Sequence, residues 1–543
     1  MLVGYVSDED YVAVPGALLE LQSPDGATYE AVSSASGAVR VDAPPGDYRV
    51  AIACPGYGSK LTRVRLDEER PVHLRLLTSR LLGYVWPKAV HAGERCELRV
   101  SSPYPYRAEL WRYGAVREFV GHLGHGEHPP GATAQVTPDG DYTGTGTGWS
   151  QFGLSTGPGL PTSSTAPGLL TAPSRSGLYA VHVYARDGSV VTCPWVVAPA
   201  TPSADTAVLV GDITWNAYNA FGGRSNYLHA GGLPEVPDVN RRQTLPRYTT
   251  VGHEEWNRDA YPPLSFDRPE PENQLPLEEE VDDPILGRDA CALAAAEWRL
   301  LGWLERDGFD VDVYAETQLA RGELDLSRYR VLVLGVHPEY WTVDMYERVK
   351  AWVHGAGGRL VYLGGNGVNC AVTLHDDASM TVLNGDAAVL EPRRTEVESR
   401  FGLVHEPEAR LLGVGYTRAG LFTAAPYRVL AADHWAFAGT GVRDGDLIGT
   451  DTLNTRIPGG ASGHETDKVS ANSPAGVTVL ARGTNPRGGG AEMAVYDTGS
   501  GGAVFAAGSI NFVTALPVDD VLARLVRNVL TRFLNAGHQP EHL

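Results

Sequence analysis

Apolar and polar positions change their rhythm along this chain. From Met1 to about Leu77 they alternate in short runs, such as Ala17-Leu-Leu-Glu-Leu-Gln, Val39-Arg-Val-Asp and Asp47-Tyr-Arg-Val-Ala-Ile, broken by turn signals such as Pro24-Asp-Gly. A period of two with frequent turns predicts a small β-sandwich. A second β-rich segment runs from about Leu81 to Ala198, opening on Leu82-Gly-Tyr-Val-Trp and Cys96-Glu-Leu-Arg-Val and closing on Tyr179-Ala-Val-His-Val-Tyr-Ala-Arg. It predicts a second sandwich, of immunoglobulin-like or jelly-roll-like type. Within it, Thr143 to Pro173 is rich in Gly, Thr, Ser and Pro and predicts a long surface loop, with Trp149 and Phe152 serving loop packing.

After Pro202 strands alternate with helical segments, the mark of βαβ units and a parallel sheet. Ala207-Val-Leu-Val, Val311-Asp-Val-Tyr, Arg330-Val-Leu-Val-Leu-Gly-Val, Arg359-Leu-Val-Tyr-Leu and Ala503-Val-Phe-Ala read as buried strands. Helices are expected over Arg288 to Asp307, Thr342 to Gly355 and Asp519 to Asn535. In the second of these Tyr346, Val349, Trp352 and Val353 share a face, and in the third Val521, Leu525, Val529 and Phe533 do. Leu319 to Leu326 reads as a connection. The predicted architecture is two N-terminal β-sandwich modules, residues 1–78 and 79–202, followed by an α/β domain, 203–543, with a doubly wound parallel sheet of flavodoxin-like kind.

A length of 543 residues agrees with about three cores. The formal charge of −20, with no basic cluster, argues against a nucleic-acid partner. No apolar run is long enough to span a bilayer, and the acidic N-terminal stretch Ser7-Asp-Glu-Asp lacks the basic start of a secretory signal, so a cytoplasmic location is expected. Cys54, Cys96, Cys193, Cys291 and Cys370 are scattered and form no C-x-x-C pair, which signals neither a disulfide framework nor a thiolate zinc site.

Ligands of open parallel sheets bind beyond the carboxyl ends of the strands. Four segments qualify: Asp212 to His229, His337-Pro-Glu-Tyr-Trp-Thr, Gly364-Gly-Asn-Gly-Val-Asn-Cys and Gly508-Ser-Ile-Asn-Phe. They offer phenols, a carboxylate, imidazoles and amides. Taken singly, each has a plainer account. Tyr218 and Tyr227 could be packing phenols, Glu339 a carboxylate favouring the start of the helix after Thr342, and His337 a satisfied structural histidine. Glycines beside Asn366 could simply permit a tight turn, Glu465 could lie on a solvated loop, and Cys370 could be a small buried hydrophobe.

Taken together, these motifs resemble the large subunit of the N,N-dimethylformamidase family. His337-Pro-Glu-Tyr-Trp-Thr and Gly357-Gly-Arg-Leu-Val-Tyr-Leu-Gly-Gly-Asn-Gly carry the likeness most specifically, joined by Asn216-Ala-Tyr-Asn-Ala-Phe-Gly-Gly-Arg-Ser-Asn-Tyr, Ser462-Gly-His-Glu-Thr-Asp and Gly508-Ser-Ile-Asn-Phe. Gly37 to Val50 resembles the transthyretin-like, carboxypeptidase-regulatory type of module. The first resemblance implies a glutamine-amidotransferase-like domain with one ferric iron, held by Glu339 and two tyrosines, Tyr218 and Tyr227, with Tyr261 or Tyr248 as alternatives for the second. It implies hydrolysis of the C–N bond of a small amide. His337, Asn366 and Glu465 would serve catalysis, His337 orienting water, Asn366 recognising the amide and Glu465 acting as general base or acid. A homo-oligomer and a small accessory subunit are expected partners. Cys370 as acyl nucleophile is disfavoured, since no Cys-His-Glu series follows it. A non-catalytic ligand-binding or assembly protein on the same scaffold remains the alternative. The polar connection between Tyr248 and Asp289, with its acidic run Glu278 to Asp283, reads as a lid, a subunit contact or a solvated loop.

Overall fold

The computed structural model describes residues 1–67, 69–126, 137–149, 169–239, 260–277, 293–376, 378–385, 399–454 and 457–536. In the N-terminal module a four-stranded sheet, ordered 28–32, 18–22, 46–53 and 60–66, faces a three-stranded one, ordered 38–40, 2–7 and 72–75. Alternation dictates the packing: Gly46–Ala53 buries Tyr48, Val50 and Ile52 and exposes Asp47, Arg49 and Ala51. The inward residues of both sheets form one apolar cluster.

The second β segment also pairs two sheets, of three and five strands, around Cys96, Leu98, Val181 and Trp195. The ends of the expected surface loop are built into the fold. Tyr142, Thr143 and Trp149 are buried, and Leu169–Thr171 is a strand paired with Arg95–Ser101. Phe152 lies outside the described residues. This segment docks on the helix Ala294–Arg306, where Trp298 donates to the Gly114 carbonyl at 2.8 Å and Arg112 pairs with Glu305.

The expectation of a doubly wound parallel α/β domain fails. The described residues are 36% strand and 17% helix. Its largest sheet has nine strands and is mixed. The strands Asp312–Ala315, Thr206–Val210, Val331–Val336, Arg359–Gly364 and Ala503–Ala506 run parallel, in that order. Beyond them Glu492–Asp497, Thr478–Gly483, Tyr427–Val429 and Leu447–Ile448 add antiparallel. The cause is local: a parallel neighbour needs a crossover of a dozen or more residues, whereas Asp497 and Ala503 are joined by a glycine-rich turn that can only return antiparallel. The stretch read as a connection after Leu319 begins as the helix Glu316–Arg321.

Successive side chains of Val331–Val336 point to opposite faces, Val331 and Val333 into one apolar cluster with the helices Ala294–Arg306 and Asp520–Asn535, Leu332 and Leu334 into another with Val343–Gly355. The segment 260–277, expected as a lid or loop, is instead threaded through the interior. Leu264–Ser265 pairs with Ser379–Leu383, and the fully buried Arg268 donates to the carbonyls of Ser265, Asn219 and Phe221. The acidic run 278–283 lies outside the described residues. Among the described residues Cys54, Cys96, Cys193 and Cys370 form no disulfide, and no helix is long and apolar enough to cross a membrane.

Candidate active site

Three strand ends, and the link carrying Glu465 between the short strands Ser462–Gly463 and Thr466–Lys468, bring the site together. Thr206–Val210 leads through Gly211 into the helix Asp212–Tyr218, whose last residue is a candidate tyrosine, and residues 219–226 lead on to Tyr227. Val331–Val336 ends at Val336 with φ +50°, a bend that turns His337-Pro-Glu over the sheet edge. The strand Arg359–Gly364 runs into Asn366, held at φ +52°. Its neighbour Gly365 has no room for a side chain, since a Cβ there would come within 2.5 Å of the Glu465 carbonyl.

At the centre is the Glu339 carboxylate, 2% exposed. The Tyr218 hydroxyl donates to its Oε2 at 2.6 Å, and the Tyr227 hydroxyl lies 3.0 Å from Oε1 and 3.1 Å from Oε2. The two phenols stack at 4.6 Å between ring centroids, with their oxygens 2.9 Å apart. His337 Nε2 is 2.8 Å from Glu339 Oε2 and 3.7 Å from Glu465 Oε2. Asn366 Nδ2 donates to Glu465 Oε2 at 2.8 Å and faces Glu339 Oε1 at 3.5 Å. All six side chains singled out from the sequence thus meet within one cluster, drawn from segments far apart in the chain. Of the alternatives, Tyr261 donates its backbone N–H to Val382 in the edge of a separate small sheet, and Tyr248 lies outside the described residues.

The electrostatics follow from this crowding. Burial acts to raise the Glu339 pKa, but the imidazole of His337, the Tyr218 hydroxyl and the Arg400 charge outweigh it and leave the carboxyl well below its ordinary range. Burial acts to lower His337, and Glu339, Glu465 and the Gly365 carbonyl outweigh it and raise it. His337 Nδ1 lies 3.0 Å from the Gly365 carbonyl, which accepts only a proton on that nitrogen and so turns Nε2 toward the carboxylates.

Two participants were not singled out from the sequence. The Tyr340 hydroxyl, fully buried, lies 2.7 Å from the Tyr227 oxygen and accepts from Asn226 Nδ2 at 2.6 Å. Asn369 Nδ2 donates to Glu339 Oε1 at 3.2 Å. Both stand in quoted motifs, as the residue after Glu339 and as the second Asn of Gly364-Gly-Asn-Gly-Val-Asn, so motif membership was the available signal. The arrangement presents three oxygen donors in a triangle, with an imidazole and an amide-bound carboxylate beside it.

Residues 164–524, about two-thirds of the sequence, match the profile of the N,N-dimethylformamidase beta subunit-like, C-terminal family. The chain belongs to this family. The match begins inside the second β segment and takes in every residue of the cluster around Glu339. Residues 1–77 match the carboxypeptidase regulatory-like domain. The N,N-dimethylformamidase beta subunit of Paracoccus aminophilus is 26% identical over 45% of this chain and 37% of its own length. That of an Alcaligenes species is 24% identical over the same shares. The matched region therefore spans little more than a third of either relative. Among solved structures, BcpA, the major pilin subunit of Bacillus cereus, aligns at 10% identity over 38% of this chain and 70% of its own, with a TM-score of 0.14, too slight a likeness to bear on the fold.

Proposed function

We propose that this chain is an amide hydrolase of the N,N-dimethylformamidase type, cleaving the C–N bond of a small amide at a ferric ion held by Tyr218, Tyr227 and Glu339. One observation carries the reading: the Tyr218 and Tyr227 hydroxyl oxygens and Glu339 Oε2 lie 2.6, 2.9 and 3.1 Å from one another. Donors about 2.0–2.1 Å from a common ion and at right angles stand about 2.9 Å apart, so the triangle fits a single small cation. Phenolate and carboxylate are hard oxygen donors of the kind a ferric ion takes, and tyrosinate ligation of iron is known chemistry.

A bound ferric ion would supply the charge against which an amide carbonyl is polarised and water acidified. The chain's own groups do the rest. The Tyr340 hydroxyl, 2.7 Å from the Tyr227 oxygen, can donate to it as a phenolate, which holds the ligand in its charged form. Asn366 fixes one oxygen of Glu465, and the carboxylate takes a proton from the water that adds to the carbonyl carbon. Returned to nitrogen, that proton lets the C–N bond break, giving a carboxylic acid and an amine. His337 keeps a proton at Nε2 between the two carboxylates and so limits their mutual repulsion. Both curated relatives are named as subunits, which supports a further chain in the working enzyme, whether a second copy or a small accessory subunit.

The test is amine release from a panel of small amides, N,N-dimethylformamide among them, by protein purified aerobically with added iron. Wild type should release amine, contain iron and show a visible tyrosinate-to-iron band. Glu339→Ala should lose all three. Glu465→Gln should keep the metal and band while losing at least about 100-fold in rate. Wild-type protein that holds no iron and hydrolyses nothing would overturn the reading and leave a binding or assembly role.

A further inference from the structure

The two site tyrosines are separated by residues 219–226, and the N-terminal β module grips that loop from outside. Arg75, the last residue of the strand Val72–Arg75, is fully buried. Its Nε and Nη2 donate to the Asp8 carbonyl at 3.1 and 2.7 Å, its Nη1 to the Gly140 carbonyl at 3.0 Å, and its Nη2 also to the Gly222 carbonyl at 3.0 Å. The guanidinium lies 4.5 Å from the ring centroid of Tyr142 and 5.1 Å from that of Tyr11. In return the Gly222 N–H donates to the Glu9 carbonyl at 2.7 Å. Gly223, at φ +92°, lies so close to the module that a Cβ would stand 2.3 Å from that of Tyr11. Tyr11 in turn donates its hydroxyl to the Pro234 carbonyl, and its own carbonyl accepts the Asp238 N–H at 3.1 Å.

A contact needed only for stability would be served as well by apolar side chains, because a buried charge is costly unless its donors are filled. Here the donors are filled by carbonyls from three segments, one of them midway between Tyr218 and Tyr227. Arginine's rigid fork suits such a contact, since it fixes separations between backbones. A displacement of about 1 Å in a reacting constellation can cost about 100-fold in rate.

We propose that the N-terminal β module is a positioning element of the tyrosine site: through Arg75 and Tyr11 it fixes residues 219–227, and with them the separation of the Tyr218 and Tyr227 hydroxyls. Its catalytic consequence rests on the amide-hydrolase reading, whereas its structural content does not. Hydrogen exchange of the full chain without added metal, in wild type, Arg75→Ala and Arg75→Lys, tests it. In Arg75→Ala the amides of residues 219–227 should exchange at least tenfold faster, while Leu18–Gln22 and Val331–Val336 keep their protection. Arg75→Lys, which keeps the charge but not the fork, should fall between, and it carries the comparison if the alanine variant does not fold. In steady-state assays kcat should fall about 100-fold in Arg75→Ala, with KM moved less than threefold. Unchanged exchange in the loop would overturn the proposal. So would a rise of equal size in the two control strands, which would make the contact a general stabiliser. A loosened loop in a protein whose wild type hydrolyses no amide would sink the enzymatic reading and leave this one standing.

Discussion

A carboxyl shut away from water keeps its proton, and Glu297 is such a group. It is 1% exposed, its Oε1 accepts the Gly211 N–H at 3.1 Å, and its Oε2 has no hydrogen-bond partner among the described residues. Burial pushes its pKa up to about 8, against the smaller opposing pull of the Gly211 N–H and the His337 charge. The sign for stability follows from where the proton sits. Below about 4.5 the folded and unfolded chains both hold it, and the carboxyl's contribution is complete. Between about 4.5 and 8 the unfolded chain releases the proton while the folded one keeps it, so stability falls as pH rises, and above about 8 the loss levels off. Asp467, raised to about 7 by burial, and Asp212, raised to about 6 by burial, act in the same direction. Between pH 6 and pH 8 Glu297 should therefore lower the stability read by urea unfolding by up to about 1.4 kcal/mol per pH unit, Asp467 mainly below pH 7 and Asp212 little, since its folded value is already passed. Glu297→Gln should remove its share and flatten the slope, and parallel curves for the two proteins would sink the assignment. This glutamate was invisible in the sequence because Ala294-Ala-Ala-Glu-Trp-Arg does not say that every side of the first helical turn is covered. The clustered residues were legible for the opposite reason. Each follows a recognisable strand or stands in a motif, so strand ends could be read as positions on one rim.

At the scale of elements, what could be read is what repeats within a few residues. The helix Asp520–Asn535 has its N-cap at Asp519, whose side chain accepts the Leu522 N–H at 2.8 Å and also the Gly449 N–H at 2.8 Å. Its core face is wider than the expected stripe and includes Leu522, Val526 and Leu530 with Leu525, Val529 and Phe533, leaving Val521 only partly covered. Each of these side chains contributes about 1.5–3 kcal/mol when fully buried, so the helix itself is firmly docked and the cap sets how its first turn begins. Asp519→Ala should cost about 1–2 kcal/mol in chemical denaturation, at the upper end for a cap because the Gly449 N–H loses its acceptor too. Asp519→Asn, which retains one acceptor oxygen where the carboxylate uses two, should recover only about half of that, and an alanine variant as stable as wild type would contradict the double role. What the sequence hid at this scale is pairing between distant elements. Tyr427–Val429 and Leu447–Ile448 are too short for a periodic signal, and they join the nine-stranded sheet only because Thr478–Gly483 offers an edge. That is how a run of credible parallel strands came to belong to a mixed sheet.

For the whole molecule, the cluster at Glu339, read as the proposed ferric site, says what loss of the metal should do. Its contacts admit a consistent relay in which Asn226 donates to Tyr340, Tyr340 to Tyr227, and both Tyr227 and Tyr218 to Glu339. Phenol protons can therefore hold the carboxylate where a cation would otherwise stand, and the cluster does not depend on an ion to avoid unpaired buried charge. A site of this kind should behave unlike a small metal-dependent fold, in which the ion supplies the folding energy. Binding to the native state alone stabilises by about 2.7 kcal/mol at one hundred times Kd. In a chain with several cores that amounts to a few degrees in the transition of the domain that carries the site. Dialysis against a strong chelator should lower that transition by a few degrees without unfolding the protein, and ferric ion added back should restore it. Tyr218→Phe and Glu339→Ala should show no such response, since each removes one corner of the oxygen triangle. Scanning calorimetry of the three proteins, with and without chelator, separates the outcomes. An equal response in all three would place the ion elsewhere, and collapse of the wild-type fold on chelation would mean that the phenol protons cannot hold the site by themselves.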